Sequence, residues 1–218
     1  MSSSSPSAGD LFVIAAASGT GKTSLIAALL ERCPKLALSV SDTTRPARRG
    51  EVDGQHYRFI DVETFRLGIA DQRYLEYAEV FGNYYGTARD QVETHWAEGR
   101  DVLLEIDVQG ADQVRRAHPD VCSIFILPPS MAALGERLHG RGLDEPEVIA
   151  RRLDEARREI GACGDFDWLV VNDDFERTVD ELVGIVNAWP LRRARQFWRV
   201  EQLLDEAANP ITIDPDHS

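Results

Sequence analysis

The sequence predicts an α/β fold, in which a mainly parallel sheet lies between two layers of helices. Short apolar runs typical of buried strands alternate with amphipathic stretches that have helical spacing. Strands joined through helices run parallel, because each helix carries the chain back to the edge where the previous strand began. We therefore expect a three-layer α/β/α core.

The apolar runs predicted to form the core sheet are LFVIAA at 11–16, DVLLEID at 101–107, VCSIFIL at 121–127 and DWLVV at 167–171. A helical pattern follows each of them: KTSLIAALLERC, QGADQVRRAH, MAALGERLH and FERTVDELVGIVNAW. Pro128 and Pro129 end the third strand, and Ser130 is the expected N-cap of the next helix.

Two segments interrupt this alternation. Residues 36–87 contain short extended runs separated by turn residues, which predicts a small mixed sheet inserted as a lobe between the first two core strands. Residues 137–158 begin with a glycine-rich turn and are rich in arginine, which predicts a mobile helical lid. The predicted domain at 10–204 therefore comprises a core (10–35, 88–136 and 159–204), the lobe and the lid, with flexible tails at 1–9 and 205–218.

Composition and charge exclude several classes of protein. The chain has 218 residues with 24 basic and 37 acidic side chains, a net charge of −13. Nucleic acids and membrane surfaces are polyanions that favour a basic face, so we expect neither as a partner. The three cysteines are far apart and odd in number, which predicts free thiols in a reducing cytoplasm. The N-terminus lacks the charge and apolar run of a signal peptide.

The segment AASGTGKT at 16–23 fits the phosphate-binding pattern G-x-x-x-x-G-K-[ST], except that Ala16 replaces the first glycine. The glycines allow backbone N–H groups to surround a phosphate, and the helix that follows adds the positive end of its dipole. Lys22 can reach the β and γ phosphates, and the Thr23 hydroxyl can bind Mg²⁺. The segment therefore predicts a P-loop nucleotide-binding core.

Three further motifs identify a family. They are SVSDTTRPARRGEVDGQHYRF at 39–59, EYAEVFGNYYGT at 76–87 and LLEIDVQGA at 103–111. Together with the phosphate loop, in this order and spacing, they resemble the guanylate kinases over about residues 10 to 200. The resemblance implies a P-loop core with a GMP-binding lobe and a lid. It also implies Mg²⁺-dependent phosphoryl transfer from ATP to GMP or dGMP in purine nucleotide metabolism.

The resemblance also assigns site residues. Those for the donor ATP are Ala17, Ser18, Gly19, Thr20, Gly21, Lys22, Thr23, Ser24, Arg137, Asn172 and Asp173. Those for GMP are Ser41, Arg45, Arg48, Glu51, Tyr57, Glu76, Tyr85, Thr87 and Asp107. The catalytic cations are Lys22, Arg48, Arg141 and Arg152, and the metal site is formed by Thr23 and Glu105.

The residue types suit this chemistry. The GMP phosphate carries nearly two negative charges, which arginines and tyrosine hydroxyls can bind. Guanine offers an acceptor at O6, suited to a hydroxyl such as Ser41, and donors at N1 and N2, suited to a carboxylate such as Glu76. Adenine reverses this pattern, and a site built on such hydrogen bonds can reject the wrong base by roughly 10⁴-fold.

Two departures and two alternatives remain open. Glu105 and His139 stand where many family members have aspartate and arginine. The alternatives are a kinase for AMP, UMP or dTMP, and an inert guanylate kinase-like module that binds phosphopeptides. The amphipathic segment 187–204 could pack on the core or on a second subunit, so a homo-oligomer is also possible.

Overall fold

The computed structural model describes residues 9–80, 82–139 and 146–208. Its strands are β1 (Leu11–Ala16), β2 (Leu36–Leu38), β3 (Asp42–Thr43), β4 (Arg58–Phe59), β5 (Tyr74–Val80), β6 (Asn83–Ala88), β7 (Asp101–Glu105), β8 (Cys122–Leu127) and β9 (Trp168–Val171). They form a five-stranded sheet in the order β2-β7-β1-β8-β9 and a four-stranded sheet in the order β4-β3-β6-β5.

The helices are α1 (Lys22–Arg32), α2 (Val62–Ala70), α3 (Arg89–Ala97), α4 (Val108–Ala117), α5 (Met131–His139), α6 (Pro146–Gly161), α7 (Phe175–Ala188) and α8 (Arg193–Ala208). Single 3₁₀ turns lie at Cys163–Asp165 and Trp189–Leu191. Short side chains cap several N-termini, as expected from unpaired N–H groups there. Ser130 accepts a hydrogen bond from Ala133 N at 3.0 Å, which confirms its predicted cap.

The five-stranded sheet is parallel throughout, and β1 lies at its centre between β7 and β8. Phe12, Val13 and Ile14 of β1 are fully buried, because helices cover both faces. Alternate residues point to opposite faces. Phe12 and Ile14 pack with α1 and α7, and Val13 packs with α3 and α4. The predicted α/β fold with a mainly parallel sheet is confirmed.

The four-stranded sheet is mixed and separate from the core sheet. The β3–β4 pair is parallel, whereas β3–β6 and β5–β6 are antiparallel. Phe65 of α2 lies beneath this sheet, stacked on Tyr74 and Tyr84 with ring centroids 4.4 and 5.2 Å away. Strand β2 (Leu36–Leu38) pairs with β7 in the core sheet, so the chain enters the four-stranded sheet only after residue 38. The assignment of 36–38 to the lobe was therefore wrong, since three apolar residues do not indicate which sheet they join.

Two other predicted boundaries can be compared with the structure. Helix α8 extends to Ala208, so the flexible tail predicted from 205 was wrong for 205–208, where the good helix formers Glu206, Ala207 and Ala208 continue the helical pattern. Within the predicted lid, 137–139 end α5 and 146–158 lie in α6, while 140–145 are outside the described residues. In the part of the chain that the structure describes, no helix has the length and apolar character needed to cross a bilayer.

Candidate nucleotide-binding site

The phosphate loop joins the carboxyl end of β1 to the first turn of α1. Gly19 and Gly21 have φ angles of 92° and 93°, which glycine adopts without steric cost. Gly21 is also the N-cap of α1. Ala16 is the last residue of β1 and is not among the residues with positive φ. Alanine therefore fits where the motif usually has glycine.

The phosphate-loop lysine and threonine face the end of the neighbouring strand β7. Lys22 Nζ donates to Ile106 O at 3.3 Å and lies 3.7 Å from Glu105 Oε1. Thr23 Oγ1 donates to the same carboxylate oxygen at 3.1 Å. Parallel strands end at the same edge of a sheet, so β1 and β7 bring these three side chains together.

Arg137 and Asn172 support the backbone of the phosphate loop. Asn172 is buried, and its Nδ2 donates to Thr20 O at 2.6 Å. Arg137 donates to Thr20 O at 3.3 Å and to Asn172 O at 3.1 Å. The neighbouring Asp173 is ion-paired with Arg177 on the exposed side of α7. The ATP contacts assigned to Arg137, Asn172 and Asp173 stay a prediction. The hydrogen bonds from Arg137 and Asn172 hold the phosphate loop in shape.

Opposite the phosphate loop, Glu51 fixes the segment 45–51. We call this segment the arginine loop, because it carries Arg45 and Arg48. Its carboxylate receives two hydrogen bonds from the Arg45 guanidinium, at 2.9 and 2.8 Å, and one from Arg48 N at 2.6 Å. The hydrogen bonds from Arg45 hold the pKa of Glu51 at about 2. Glu51 thus positions the two arginines, and its assignment to the GMP site stays a prediction.

Aromatic rings of the lobe lie beside the arginine loop. The Arg45 guanidinium carbon lies 5.3 Å from the centroid of the Tyr57 ring, which meets Tyr85 edge-on at 5.9 Å. Burial raises the pKa of Tyr57, so its hydroxyl keeps its proton and can donate. Two cations and two phenols therefore surround this end of the cleft, a set suited to an anionic group.

Glu76 is the most deeply buried carboxyl group in the cleft, with 4% exposure. Thr87 Oγ1 donates to Glu76 Oε1 at 2.7 Å. Burial, with a smaller contribution from the charge of Asp107, raises the pKa of Glu76 to about 7 despite the hydrogen bond from Thr87. Asp107 itself is the N-cap of α4 and accepts from Gly110 N at 2.8 Å. A Cβ at Gly110 would lie 2.5 Å from Glu76 Oε2, so any larger residue there would displace the Glu76 carboxylate.

One cleft of about 460 Å³ connects the two sides. The predicted residues that line it are Ala17, Ser18, Gly19, Thr20, Gly21, Lys22, Thr23, Ser24, Ser41, Arg45, Arg48, Tyr57, Glu76, Tyr85, Glu105, Asp107 and Arg152. Five others lie outside this lining: Glu51, Thr87, Arg137, Asn172 and Asp173. Arg141 falls outside the described residues.

Helix α6 contributes Glu159, a residue that the sequence analysis missed, beside the predicted Arg152. Arg152 donates to Ser18 Oγ at 3.0 Å, and Glu159 Oε2 accepts from Ser18 N at 3.1 Å. Burial raises the pKa of Glu159. The two side chains are seven residues apart and so lie on one face of the helix. The seven-residue spacing from Arg152 was the signal that could have identified Glu159. A glutamate on a charged helix gives no local indication of a buried partner.

Comparison with known proteins decides the family. The sequence model of guanylate kinases matches residues 8–189, which is most of the chain. The chain belongs to the guanylate kinase family. The guanylate kinase of Neisseria gonorrhoeae is 53% identical over 199 residues, covering 91% of this chain and 97% of the relative. That of Chromobacterium violaceum is 50% identical over 195 residues, covering 89% and 93%.

A solved structure agrees with this assignment. The crystal structure of guanylate kinase from Anaplasma phagocytophilum is similar to this chain with a TM-score of 0.74 and 37% sequence identity. The match covers 94% of this chain and 97% of that chain. The guanylate kinase family predicted from the motifs is therefore confirmed, and both the core and the lobe belong to the shared fold.

Proposed function

We propose that this protein is a guanylate kinase that transfers the γ-phosphoryl group of ATP to GMP or dGMP, giving ADP and GDP or dGDP. A single observation carries this proposal. The phosphate loop with Lys22 and the arginine loop with Glu76 line the same cleft. Phosphoryl transfer between two nucleotides requires a donor and an acceptor site that meet in this way.

The acceptor half suits a guanine nucleotide. Arg45, Arg48, Tyr57 and Tyr85 would bind the phosphate of GMP, with Glu51 holding both arginines. Glu76 would accept from N1 and N2 of guanine, and Ser41 would donate to O6. Thr87 and Asp107 surround the Glu76 carboxylate. The charged form of Glu76 is costly in its buried position, and guanine donors would compensate that cost.

The donor half suits MgATP. Residues 17–24 would surround the triphosphate, with Arg137 and Asn172 holding the loop and Asp173 next to the adenine. The oxygens of Thr23 and Glu105, 3.1 Å apart, fit Mg²⁺, which commonly takes one or two protein oxygens and the substrate phosphates. When bound, the ion would neutralise charge on the phosphates. The extra methylene of glutamate, relative to aspartate, suits a contact through water.

The chain's own residues would supply cations rather than a base. The GMP phosphate is already an anionic nucleophile, so proton abstraction is unnecessary. The difficulty is to bring two polyanions together and to stabilise the charge of the transferring group. Lys22 on the donor side and Arg48 on the acceptor side both line the cleft and would approach this group from opposite walls. Arg152 of α6 and Arg141 of the predicted lid would complete the set.

Product analysis tests this proposal directly. We expect purified protein with MgATP and GMP to form ADP and GDP in equal amounts, measured by ion-exchange chromatography. An inert phosphopeptide-binding module would form neither product, and that result would refute the proposal. The intact phosphate-loop contacts of Lys22 and Thr23 favour the enzyme.

Two further expectations, on the cellular location and on the oligomeric state, accompany this function. All three cysteines are free thiols, which supports the proposed location in a reducing cytoplasm. Helix α8 exposes Phe197, Val200 and Leu204 at helical spacing, a face that a second copy of the chain could cover. Light scattering would test whether the protein forms a homo-oligomer.

The raised pKa of Glu76 predicts how GMP binding depends on pH. Guanine needs the carboxylate, so below about pH 7 binding must release a proton, and KM for GMP should rise as pH falls towards 5.5, at most about tenfold per unit. In the Glu76→Gln variant, KM for GMP should depend on pH only through ionisation of the GMP phosphate. Subtracting the pH profile of this variant from that of the parent leaves the contribution of Glu76. A difference profile that is flat between about pH 5.5 and 8 would contradict the assignment.

The same shift has a consequence for stability. The folded protein holds the proton of the Glu76 carboxyl group more tightly than the unfolded chain does. Protonated Glu76 therefore stabilises the fold at low pH. That contribution is present below the usual glutamate pKa and is lost as pH rises through about 7.

A further inference from the structure

Strand β5 carries Glu76 and lies at one edge of the four-stranded sheet. Its pairing with β6 shifts register between Tyr74 and Glu76, and such an irregularity leaves the backbone locally less constrained by the ladder. Among the residues that the structure describes, no strand pairs with the other side of β5. Pairing with β6 therefore gives only part of the restraint that a selective carboxylate requires.

Helix α4 supplies the missing partner through one side chain. Gln113 Oε1 accepts from Tyr77 N at 3.2 Å, and Gln113 Nε2 donates to Tyr77 O at 2.7 Å. A side-chain amide carries the same donor and acceptor pair as a peptide group. Gln113 thus binds the outer edge of β5 as an adjacent strand would, at the residue directly after Glu76.

The same face of α4 also contacts Glu76 itself. Gly110 precedes Gln113 by three residues, a spacing that places both on one side of a helix. Glu76 Oε2 lies against Gly110, in the space that a Cβ would occupy. Asp107, the N-cap of α4, lines the cleft. Helix α4 therefore packs against the Glu76 carboxylate at Gly110 and holds the backbone of the next residue at Gln113.

We propose that Gln113 is a positioning residue that sets nucleobase selectivity by clamping β5 to α4. The inference rests on the proposed function, because it assumes that Glu76 reads guanine. Since the clamp binds the backbone, the identity of the half-exposed Tyr77 side chain is of no consequence to it. Without the clamp, Tyr77 bonds to water, β5 moves relative to Asp107, and Glu76 loses its alignment with the base.

Two variants test this inference. Gln113→Met keeps the length and helix propensity of the side chain without its hydrogen bonds, and Gln113→Asn keeps the amide but shortens it by one methylene. Both should raise KM for GMP by about tenfold, the loss of two modest hydrogen bonds. The preference for GMP over AMP should fall by the same factor, while KM for ATP and kcat stay at the parent's values. Hydrogen exchange at the Tyr77 amide should accelerate.

The matched control is Gln202→Met, which removes an exposed glutamine amide bonded to Glu206 on α8. It should leave all of these quantities unchanged. Variants with faster exchange at Tyr77 but the parent's KM for GMP would show a merely structural contact and overturn the inference. An increase in KM for GMP and ATP together, or unchanged exchange at Tyr77, would also overturn it.

The failure of the inference can be separated from failure of the proposed function. A parent protein that used GMP and AMP equally would refute the function and this inference with it. A selective parent whose Gln113 variants keep the full selectivity would refute the inference alone.

Discussion

Replacing Lys22 with alanine should lower kcat by about 10² to 10³ fold, the usual effect of removing one preorganised charge from a transferring group. Lys22 contacts Ile106 O and Glu105 at the end of β7, but it lies at the surface of the cleft rather than in the core. The fold should therefore be preserved. Steady-state kinetics with saturating GMP and MgATP would measure the loss, and circular dichroism would verify the fold.

The matched control for this experiment is Lys35→Ala. The Lys35 side chain is exposed before β2, and its structural contact is a backbone hydrogen bond from Asp101 N that alanine retains. We expect parent activity from this variant. If Lys22→Ala turned over near the parent rate with an unchanged circular dichroism spectrum, the role of Lys22 would be refuted.

The Glu76→Gln variant should lose about 2–4 kcal/mol in kcat/KM for GMP, because one acceptor oxygen becomes a donor that faces the guanine N–H groups. The size of the side chain is nearly unchanged, so packing against Gly110 is retained. The neutral amide also removes a buried ionisable group whose pKa is already raised. We therefore expect the melting temperature to stay at or above the parent value at neutral pH.

Glu79→Gln provides the comparison on the same strand, since Glu79 is exposed whereas Glu76 is buried. It should leave kcat/KM for GMP unchanged. Equal losses in both variants would indicate a general charge effect rather than a guanine contact. An unchanged kcat/KM in Glu76→Gln would remove Glu76 from the acceptor site.

Local motifs were the most predictable part of this site. The phosphate loop is contiguous, so its glycines, Lys22 and Thr23 could be identified from eight residues of sequence. The strands of the core were also predictable, because buried parallel strands are continuous apolar runs. The short strand β2 was assigned to the wrong sheet, since its three residues carry no information about their partner.

Contacts between distant segments could not be predicted in the same way. The pairing of Glu159 with Ser18 N joins residues 141 positions apart. The close approach of Gly110 to Glu76 depends on how α4 packs against β5. The support of Thr20 O by Arg137 and Asn172 likewise depends on the ends of α5 and β9 meeting the phosphate loop. Sequence patterns report on local structure, and these contacts are set by the packing of elements.

Acceptor selectivity tests the central claim most directly. A coupled assay would offer GMP, AMP, UMP and dTMP separately with MgATP and compare kcat/KM for each. The account predicts that GMP is preferred to AMP by roughly 10⁴-fold, because adenine leaves the buried Glu76 carboxylate without a donor. Comparable use of AMP or of either pyrimidine nucleotide would contradict the guanine-reading site.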